Sequence, residues 1–190
     1  RQMCIRDRDL GEKLVDWNSY FYPLDKVFGW NKGDAVALIS YQLLHFDKSS
    51  LGFNLGIRSL DHFSKGSHLT IYLAPNDYHR VHMPTNGRLT AATYIPGELF
   101  SVNPKTVAEI PGLYAKNERL VFYFETERGN MIIIMVGAAI VAGIKPFWRE
   151  TAFKPRIYKE EKVNSYLNKG DEIGLFEMGS TVILLLSNRI

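Results

Sequence analysis

Apolar and polar side chains alternate along several short segments of this chain, and a period of two residues is the pattern of a β-strand. The alternation over His68–Leu73 predicts one strand, and Arg88–Ile95 predicts a second. Leu120–Glu125 and Met131–Ala142 predict two more, and residues 126–130 between them predict a hairpin loop. The middle of the chain is therefore expected to form a sheet of antiparallel neighbours.

The rest of the pattern predicts little helix. Apolar residues spaced through Ser49–Phe63 indicate one helix, weakened by two glycines. The basic, proline-containing stretch 145–162 predicts a loop, and residues 170–174 begin a final pair of strands around Gly179. We expect a mainly β (α+β) fold, in which residues 1–190 form a single domain of short antiparallel strands with one or two helices near the N-terminus.

Composition narrows the class of protein without naming a function. The 190 residues are 46% hydrophobic and 23% charged, which is ordinary for a globular domain, and the net charge is +3. Lys and Arg are scattered, so the charge suits an anionic surface and does not predict a nucleic-acid partner. Cys4 is the single cysteine, which excludes an internal disulfide and a cysteine-based zinc site and favours a reducing compartment.

Membrane-spanning and export signals are not evident. The longest apolar run, Met131–Ile144, is shorter than the roughly 20 residues that a transmembrane helix needs, so we interpret it as one buried strand or as two strands across a glycine kink. Nothing resembles a signal peptide. The charge-dense opening of the chain suggests that part of residues 1–30 is foreign to the fold.

Candidate chemistry begins at Gly179-Ser180-Thr181, directly before the apolar run 182–186. One interpretation is a glycine turn that enters a last buried strand. The other is that the Ser180 hydroxyl, activated by a nearby base, attacks the carbonyl of Gly179. The tripeptide alone favours the turn.

Two histidines, His79 and His82, lie between a turn and Pro84. Their first interpretation is a surface loop in which both rings bond to the backbone. A metal site is the second, although no cysteine or glutamate is placed to complete a ligand set, and we predict none. The third is acid–base chemistry, since imidazole titrates near neutral pH.

Five stretches of the chain stand in a distinctive order. They are Tyr72–Pro84, Pro96–Asn103, Ala115–Arg119, Val136–Ala138 and Phe176–Ile183. Together they resemble, motif by motif, the bacterial phosphatidylserine decarboxylases, whose cleavage site usually reads Leu-Gly-Ser-Thr where this chain has Met178-Gly179-Ser180-Thr181. A Gly-Ser-Thr step alone is common, whereas the ordered set is specific.

The resemblance implies a proenzyme that cuts itself between Gly179 and Ser180. Ser180 would exchange the amide for an ester, and elimination and loss of ammonia would leave a pyruvoyl group at position 180. The products would be a long (beta) chain, 1–179, and a short (alpha) chain, 180–190, which stay paired. In this family's pattern His82 corresponds to the base of self-cleavage.

The resemblance also implies the reaction of the processed enzyme. The pyruvoyl group, formed from Ser180, is the covalent cofactor that accepts electrons while phosphatidylserine loses CO2 and becomes phosphatidylethanolamine. His79 corresponds to the proton donor. The implied setting is the cytoplasmic side of the cell membrane, where the protein would bind peripherally to an anionic surface, and a homodimer is implied by analogy.

One family element departs from the pattern. The family orients its cleavage base with an aspartate in a Pro-x-Asp-Gly motif, and this chain has no Asp-Gly pair. Pro23-Leu24-Asp25-Lys26 keeps the proline and the aspartate, so Asp25 is the predicted orienting carboxylate. Asp34, Asp47 and Asp61 are weaker candidates.

Two other functions remain open from the sequence. A non-catalytic module of the lipoyl-carrier or phosphocarrier type also ends in glycine-punctuated strands, but it gives no account of His79 and His82. A proenzyme arrested before maturation would follow from the missing Asp-Gly motif.

Overall fold

A computed structural model of the protein describes residues 63, 66–73, 78–138, 143–153, 159–177 and 180–187. Nine strands and two short helices lie within these ranges. In chain order they are β1 (Ser67–Leu73), β2 (Arg80–His82), β3 (Gly87–Ile95), α1 (Pro104–Glu109), α2 (Leu113–Lys116), β4 (Arg119–Thr126), β5 (Gly129–Val136), β6 (Ile144–Pro146), β7 (Lys159–Leu167), β8 (Glu172–Phe176) and β9 (Ser180–Leu186).

The strands form two antiparallel sheets. The larger has six strands in the order β1-β9-β5-β4-β3-β7, and the smaller has three in the order β2-β8-β6. The last strand, β9, thus lies between β1 and β5, inside the larger sheet. The expected mainly β fold of short antiparallel strands is confirmed.

Both faces of the large sheet are buried, which explains its long apolar runs. On β4, Leu120 and Phe122 belong to one hydrophobic cluster and Val121 belongs to a second. The first cluster includes residues of the small sheet, such as Val81 and Ile173, and the second includes Leu113 of α2. A strand that is buried on both faces reads as a continuous apolar run.

The strand predictions for the middle of the chain are confirmed as β1, β3, β4 and β5, and residues 126–130 do form the hairpin between the last two. The strand predicted for Met131–Ala142 is shorter than expected, because β5 ends at Val136, just before Gly137. Gly129, which opens β5, has a φ of 109°, a conformation that glycine adopts at little cost.

The loop prediction for residues 145–162 is wrong at both ends. Ile144–Pro146 is strand β6, and Lys159–Leu167 is strand β7 at the edge of the large sheet. The first four residues of β7 are charged, and exposed positions alternate with half-buried ones from residue 162 to residue 166. Charged side chains are one means by which edge strands avoid pairing with other chains. The polar composition indicated a loop, but only one face of this strand needs to be apolar.

The two described helices lie in the middle of the chain, where no helix was predicted. Asn103 caps α1 by accepting a hydrogen bond from the backbone N–H of Thr106, and Pro104 begins the helix. Both signals are present in the sequence. The helix predicted for Ser49–Phe63 lies outside the described residues except for Phe63.

Candidate active site

Residue 180, the predicted nucleophile position, begins β9, and its backbone pairs with Leu73. Thr181 is paired on both sides, with Tyr72 and with Val136. The predicted entry into a last buried strand is therefore confirmed, since residues 182–185 are buried. Gly179 lies outside the described residues.

The chain is also anchored just before this position. The backbone N–H of Glu177 donates to the carbonyl of Gly143 at 3.2 Å. The segment 177–181 is thus held at its start by Gly143 and at its end by strand pairing to Val136. A peptide held at both ends loses little further entropy when one of its groups attacks another.

The histidine stretch is a short strand rather than the surface loop considered above. β2 pairs with β8, and the N–H of Phe176 donates to the carbonyl of His79 at 2.9 Å. His82 pairs instead with Glu172, at the far end of β8. The two histidines are about 10 Å apart along the strand at roughly 3.3 Å per residue.

The two histidines also differ in which way they face. Val81 and Met83 are buried in the core, whereas Arg80 is exposed and His82 is only half-buried. Positions three apart on a strand face opposite sides, and Nδ1 of His79 is accordingly buried. By its backbone contact, His79 lies nearer than His82 to the end of β8 that leads to residue 180.

Both ring nitrogens of His82 have partners. Nδ1 lies 2.8 Å from the carbonyl oxygen of Gly170, and Nε2 lies 2.9 Å from the hydroxyl of Tyr78. Since a carbonyl can only accept, Nδ1 carries the proton, and Nε2 of the neutral ring accepts from Tyr78. The Tyr78 ring stacks on the imidazole with centroids 5.7 Å apart. The tautomer suits a base that acts through Nε2.

A buried polar cluster follows α2, at residues 117–119. Asn117 is fully buried, and its amide bonds to the backbone of Phe100 and to the carbonyl of Gly137. Arg119 is also buried and donates to the carbonyl of Asn117 at 2.9 Å. Burial lowers the pKa of Arg119 to about 10, which leaves the guanidinium charged at neutral pH.

Glu118 is the acidic member of this cluster and is 4% exposed. Its carboxylate accepts from the hydroxyl of Tyr94 at 2.7 Å and from the backbone N–H of Gly143. Burial raises the pKa of Glu118, and these two donors offset part of that rise. Burial also raises the pKa of Tyr94, so its hydroxyl remains a donor.

Tyr114 of α2 approaches the site from the other face of the large sheet. It lies against Thr181, the fully buried residue that follows position 180. Burial raises the pKa of Tyr114, and the neighbouring Thr181 hydroxyl offsets part of the rise. The start of β9 is thus packed by an aromatic side chain.

Comparison with known proteins connects this geometry to a family. The family model for phosphatidylserine decarboxylase matches residues 32–189. This chain belongs to the phosphatidylserine decarboxylase family. The described site residues all lie inside the match, whereas Asp25 lies outside it.

Relatives in this family are named as proenzymes. The phosphatidylserine decarboxylase proenzyme of Shewanella sediminis is 45% identical over 92% of this chain and 64% of its own length. That of Shewanella halifaxensis is 48% identical with the same coverage, and that of Shewanella loihica is 50% identical over 66% of this chain. The chain therefore spans 64% of the length of the first two.

The predicted orienting carboxylate cannot be placed in this family site. Asp25 and the weaker candidates Asp34, Asp47 and Asp61 lie outside the described residues. Across the ranges that the structure does describe, no three His, Cys, Asp or Glu side chains come together to hold a metal ion, and no helix is long and apolar enough to cross a membrane.

Residues 115–119 belong to the family resemblance seen in the sequence, but no role was predicted for Glu118. Charged residues are mostly exposed in proteins, so three consecutive polar residues suggest a surface turn. The available signal was position, because these residues immediately precede the apolar run of β4, in which residues 120–122 are fully buried.

Proposed function

We propose that this chain is a proenzyme that cuts itself between Gly179 and Ser180 and then decarboxylates phosphatidylserine to phosphatidylethanolamine. The observation that carries the proposal is the segment 177–181, which is anchored to Gly143 and Val136 on either side of a Gly-Ser step. Membership in a family whose relatives are named proenzymes gives it the substrate class. The same membership favours a decarboxylase over a carrier module.

Self-cleavage requires three groups from the chain. The Ser180 hydroxyl loses its proton to a base and attacks the Gly179 carbonyl, and the 179–180 amide becomes an ester. In the elimination that follows, a base removes the Cα proton of residue 180, the bond between Cβ and Oγ breaks, and the new carboxylate of Gly179 is released. The resulting dehydroalanine tautomerises to an imine. Water hydrolyses this imine, which releases ammonia and produces a pyruvoyl group at position 180.

The position of residue 180 suits such a group. Thr181 is paired on both sides, so β9 would stay in the sheet after the chain is cut. A pyruvoyl group contains no more heavy side-chain atoms than serine, so it is no larger than the residue that it replaces. When bound there, the group supplies an electron sink for the loss of CO2.

We assign the base of self-cleavage to His82 and the proton donor of decarboxylation to His79. The Nδ1–H···O=C bond from His82 to Gly170 supports the first role, because it leaves Nε2 as the basic nitrogen. The backbone contact between His79 and Phe176 brings His79 toward the cleavage segment, which also supports the opposite assignment. Measuring self-cleavage and decarboxylation by His79→Ala and His82→Ala distinguishes the two assignments.

Asp25 keeps its proposed role in orienting His82. The Gly170 carbonyl already accepts from Nδ1, so Asp25→Asn should slow cleavage less than His82→Ala. Cleavage of Asp25→Asn at the parent rate would remove Asp25 from the mechanism.

The proposed partners are the lipid substrate, an anionic membrane surface, the paired alpha and beta chains, and a second copy of the protein. A net charge of +3 supports peripheral binding to the cytoplasmic side of the cell membrane. Sedimentation with vesicles that contain phosphatidylserine, compared with neutral vesicles, tests the membrane proposal.

The intact mass of the purified protein beside Ser180→Ala tests the function. We expect two fragments that split at 179/180, a short one whose mass fits a pyruvoyl terminus, and an uncut variant. Purified cleaved protein should release CO2 from phosphatidylserine. A single uncut chain in both preparations would indicate an arrested proenzyme and contradict the proposal.

A further inference from the structure

The steps above give no role to Glu118, although it is a buried carboxylate close to the cleavage segment. Burying a carboxylate is costly unless hydrogen bonds compensate it. Glu118 receives two, from the Tyr94 hydroxyl and from the Gly143 N–H. A buried carboxylate with two hydrogen-bond donors indicates a role other than filling space in the core.

Glu118 contacts both ends of the segment 137–143. Its side chain packs directly on Gly137, where an added Cβ would lie 2.8 Å from Cγ and Oε1 of Glu118. The Gly137 N–H also donates to the backbone carbonyl of Glu118 at 2.9 Å. At the other end, the carboxylate holds the N–H of Gly143.

The two ends of this segment adjoin the two anchors of the cleavage segment. Gly143 uses its N–H for Glu118 and its carbonyl for Glu177. An added Cβ on Gly143 would lie 2.6 Å from Oε2 of Glu177, so that contact is close. Gly137 follows Val136, which pairs with Thr181. A single side chain therefore connects both anchors of residues 177–181.

We propose that Glu118 is a positioning residue for self-cleavage, which holds Gly137 and Gly143 so that Glu177 and Thr181 keep their separation across the 179–180 bond. The inference rests on the proposed self-cleavage. Glu118 need not touch the reacting atoms, because it acts through the peptide of Gly143. Once the bond is cut, the separation of the two anchors no longer matters.

The charge of Glu118 is part of this role. A carboxylate accepts from two donors at once, whereas a glutamine amide presents one acceptor and one donor. Gly143 N–H can only donate, so in Glu118→Gln the amide oxygen must accept from it and the Tyr94 hydroxyl must turn to accept from the amide N–H. Both hydrogen bonds then lose the charge of the carboxylate. Charge-assisted hydrogen bonds are stronger than neutral ones. Glu118→Gln should therefore hold Gly143, and through it the segment 177–181, less firmly.

To test the inference, the full chain is made in a timed cell-free reaction, and the rate of its self-cleavage is measured by intact mass. We expect Glu118→Gln to slow cleavage about 10- to 100-fold and Tyr94→Phe about 3- to 10-fold. Glu125→Gln changes an exposed glutamate on β4, the strand that follows Glu118, and as the matched control it should cleave at the parent rate.

Two further readouts separate positioning from a loss of stability. Pyruvoyl-normalised decarboxylation by the cleaved fraction of Glu118→Gln should stay within about 2-fold of the parent, because the proposed role ends with cleavage. Hydroxylamine, which cuts an ester, should not restore the parent cleavage rate, because the attack of Ser180 is the slowed step.

The possible results distinguish a failure of this inference from a failure of the proposed function. Cleavage of Glu118→Gln at the parent rate, or full rescue by hydroxylamine, overturns the inference and leaves the proposed function intact. An uncut parent chain overturns both. If Glu118→Gln does not fold, Tyr94→Phe decides, since it removes only a hydroxyl: slower cleavage supports the inference, and the parent rate overturns it.

Discussion

The two sheets of this protein differ in length, in composition and in what they hold. Strands of the large sheet have seven to nine residues, and its central strands are buried on both faces. Those of the small sheet have three to five residues and include His82. The large sheet holds residue 180 in place, and the small sheet positions the histidines. The candidate nucleophile position and the candidate base His82 therefore lie in different sheets.

The cleavage segment lies where the chain passes from one sheet to the other. β8 belongs to the small sheet and β9 to the large one, so the final two strands do not pair with each other. On either side of the linking peptide, Glu177 bonds to Gly143 and Thr181 pairs with Val136. A link of this kind can be cut without dismantling either sheet.

The largest stability effect should come from the core of the large sheet. Phe122 is fully buried and lies against Phe124 and Trp148, with ring centroids 6.3 and 5.8 Å away. Phe122→Ala should lower the free energy of unfolding by about 3–5 kcal/mol. Urea unfolding measures it, with the 54% exposed Tyr166 changed to Ala as the control. Equal losses in the two variants would contradict a scaffold role for this core.

A smaller effect is expected where the small sheet packs against the large one. A Cβ on Gly174 of β8 would lie 2.8 Å from the carbonyl oxygen of Lys145 and 3.3 Å from the sulfur of Met135. Gly174→Ala should cost about 1–3 kcal/mol, since the strands must move apart. It should also slow self-cleavage by displacing β2. Thermal unfolding and intact mass measure the two effects, and an unchanged cleavage rate would argue against coupling between the sheets.

The smallest effect should come from the surface of the small sheet. Arg80 and Glu172 form an exposed ion pair between β2 and β8, with nitrogen and oxygen 2.6 Å apart. Arg80→Ala should lower the free energy of unfolding by about 0.2–1 kcal/mol, and less at high salt. Urea unfolding at two salt concentrations checks this. A loss that does not depend on salt would mean that Arg80 acts through packing instead.

Much of the large sheet could be predicted because its signal is local. Alternation over residues 68–73 and 88–95 reports directly which side chains face the core. Strand β7 was missed because an edge strand needs only one apolar face. Helix α1 was missed although Asn103 and Pro104 mark its start, because the helix is only six residues long.

The residues of the candidate site could be predicted from the sequence, but their arrangement in space could not. The Gly179-Ser180 step and the two histidines were recognisable as residue types in order. Their spacing placed them close in sequence, whereas in the structure their backbones bond to opposite ends of β8.

The sequence by itself determined the strands of the large sheet other than β7, the family, and the identity of the Gly179-Ser180 step. Only the tertiary structure decided that His82 bonds to Gly170 and that Glu118 meets Gly143. Local periodicity follows from the geometry of one strand, whereas these contacts join residues far apart in the chain. They depend on the order of strands in a sheet and on which sheet each strand enters, and no short stretch of sequence contains that information.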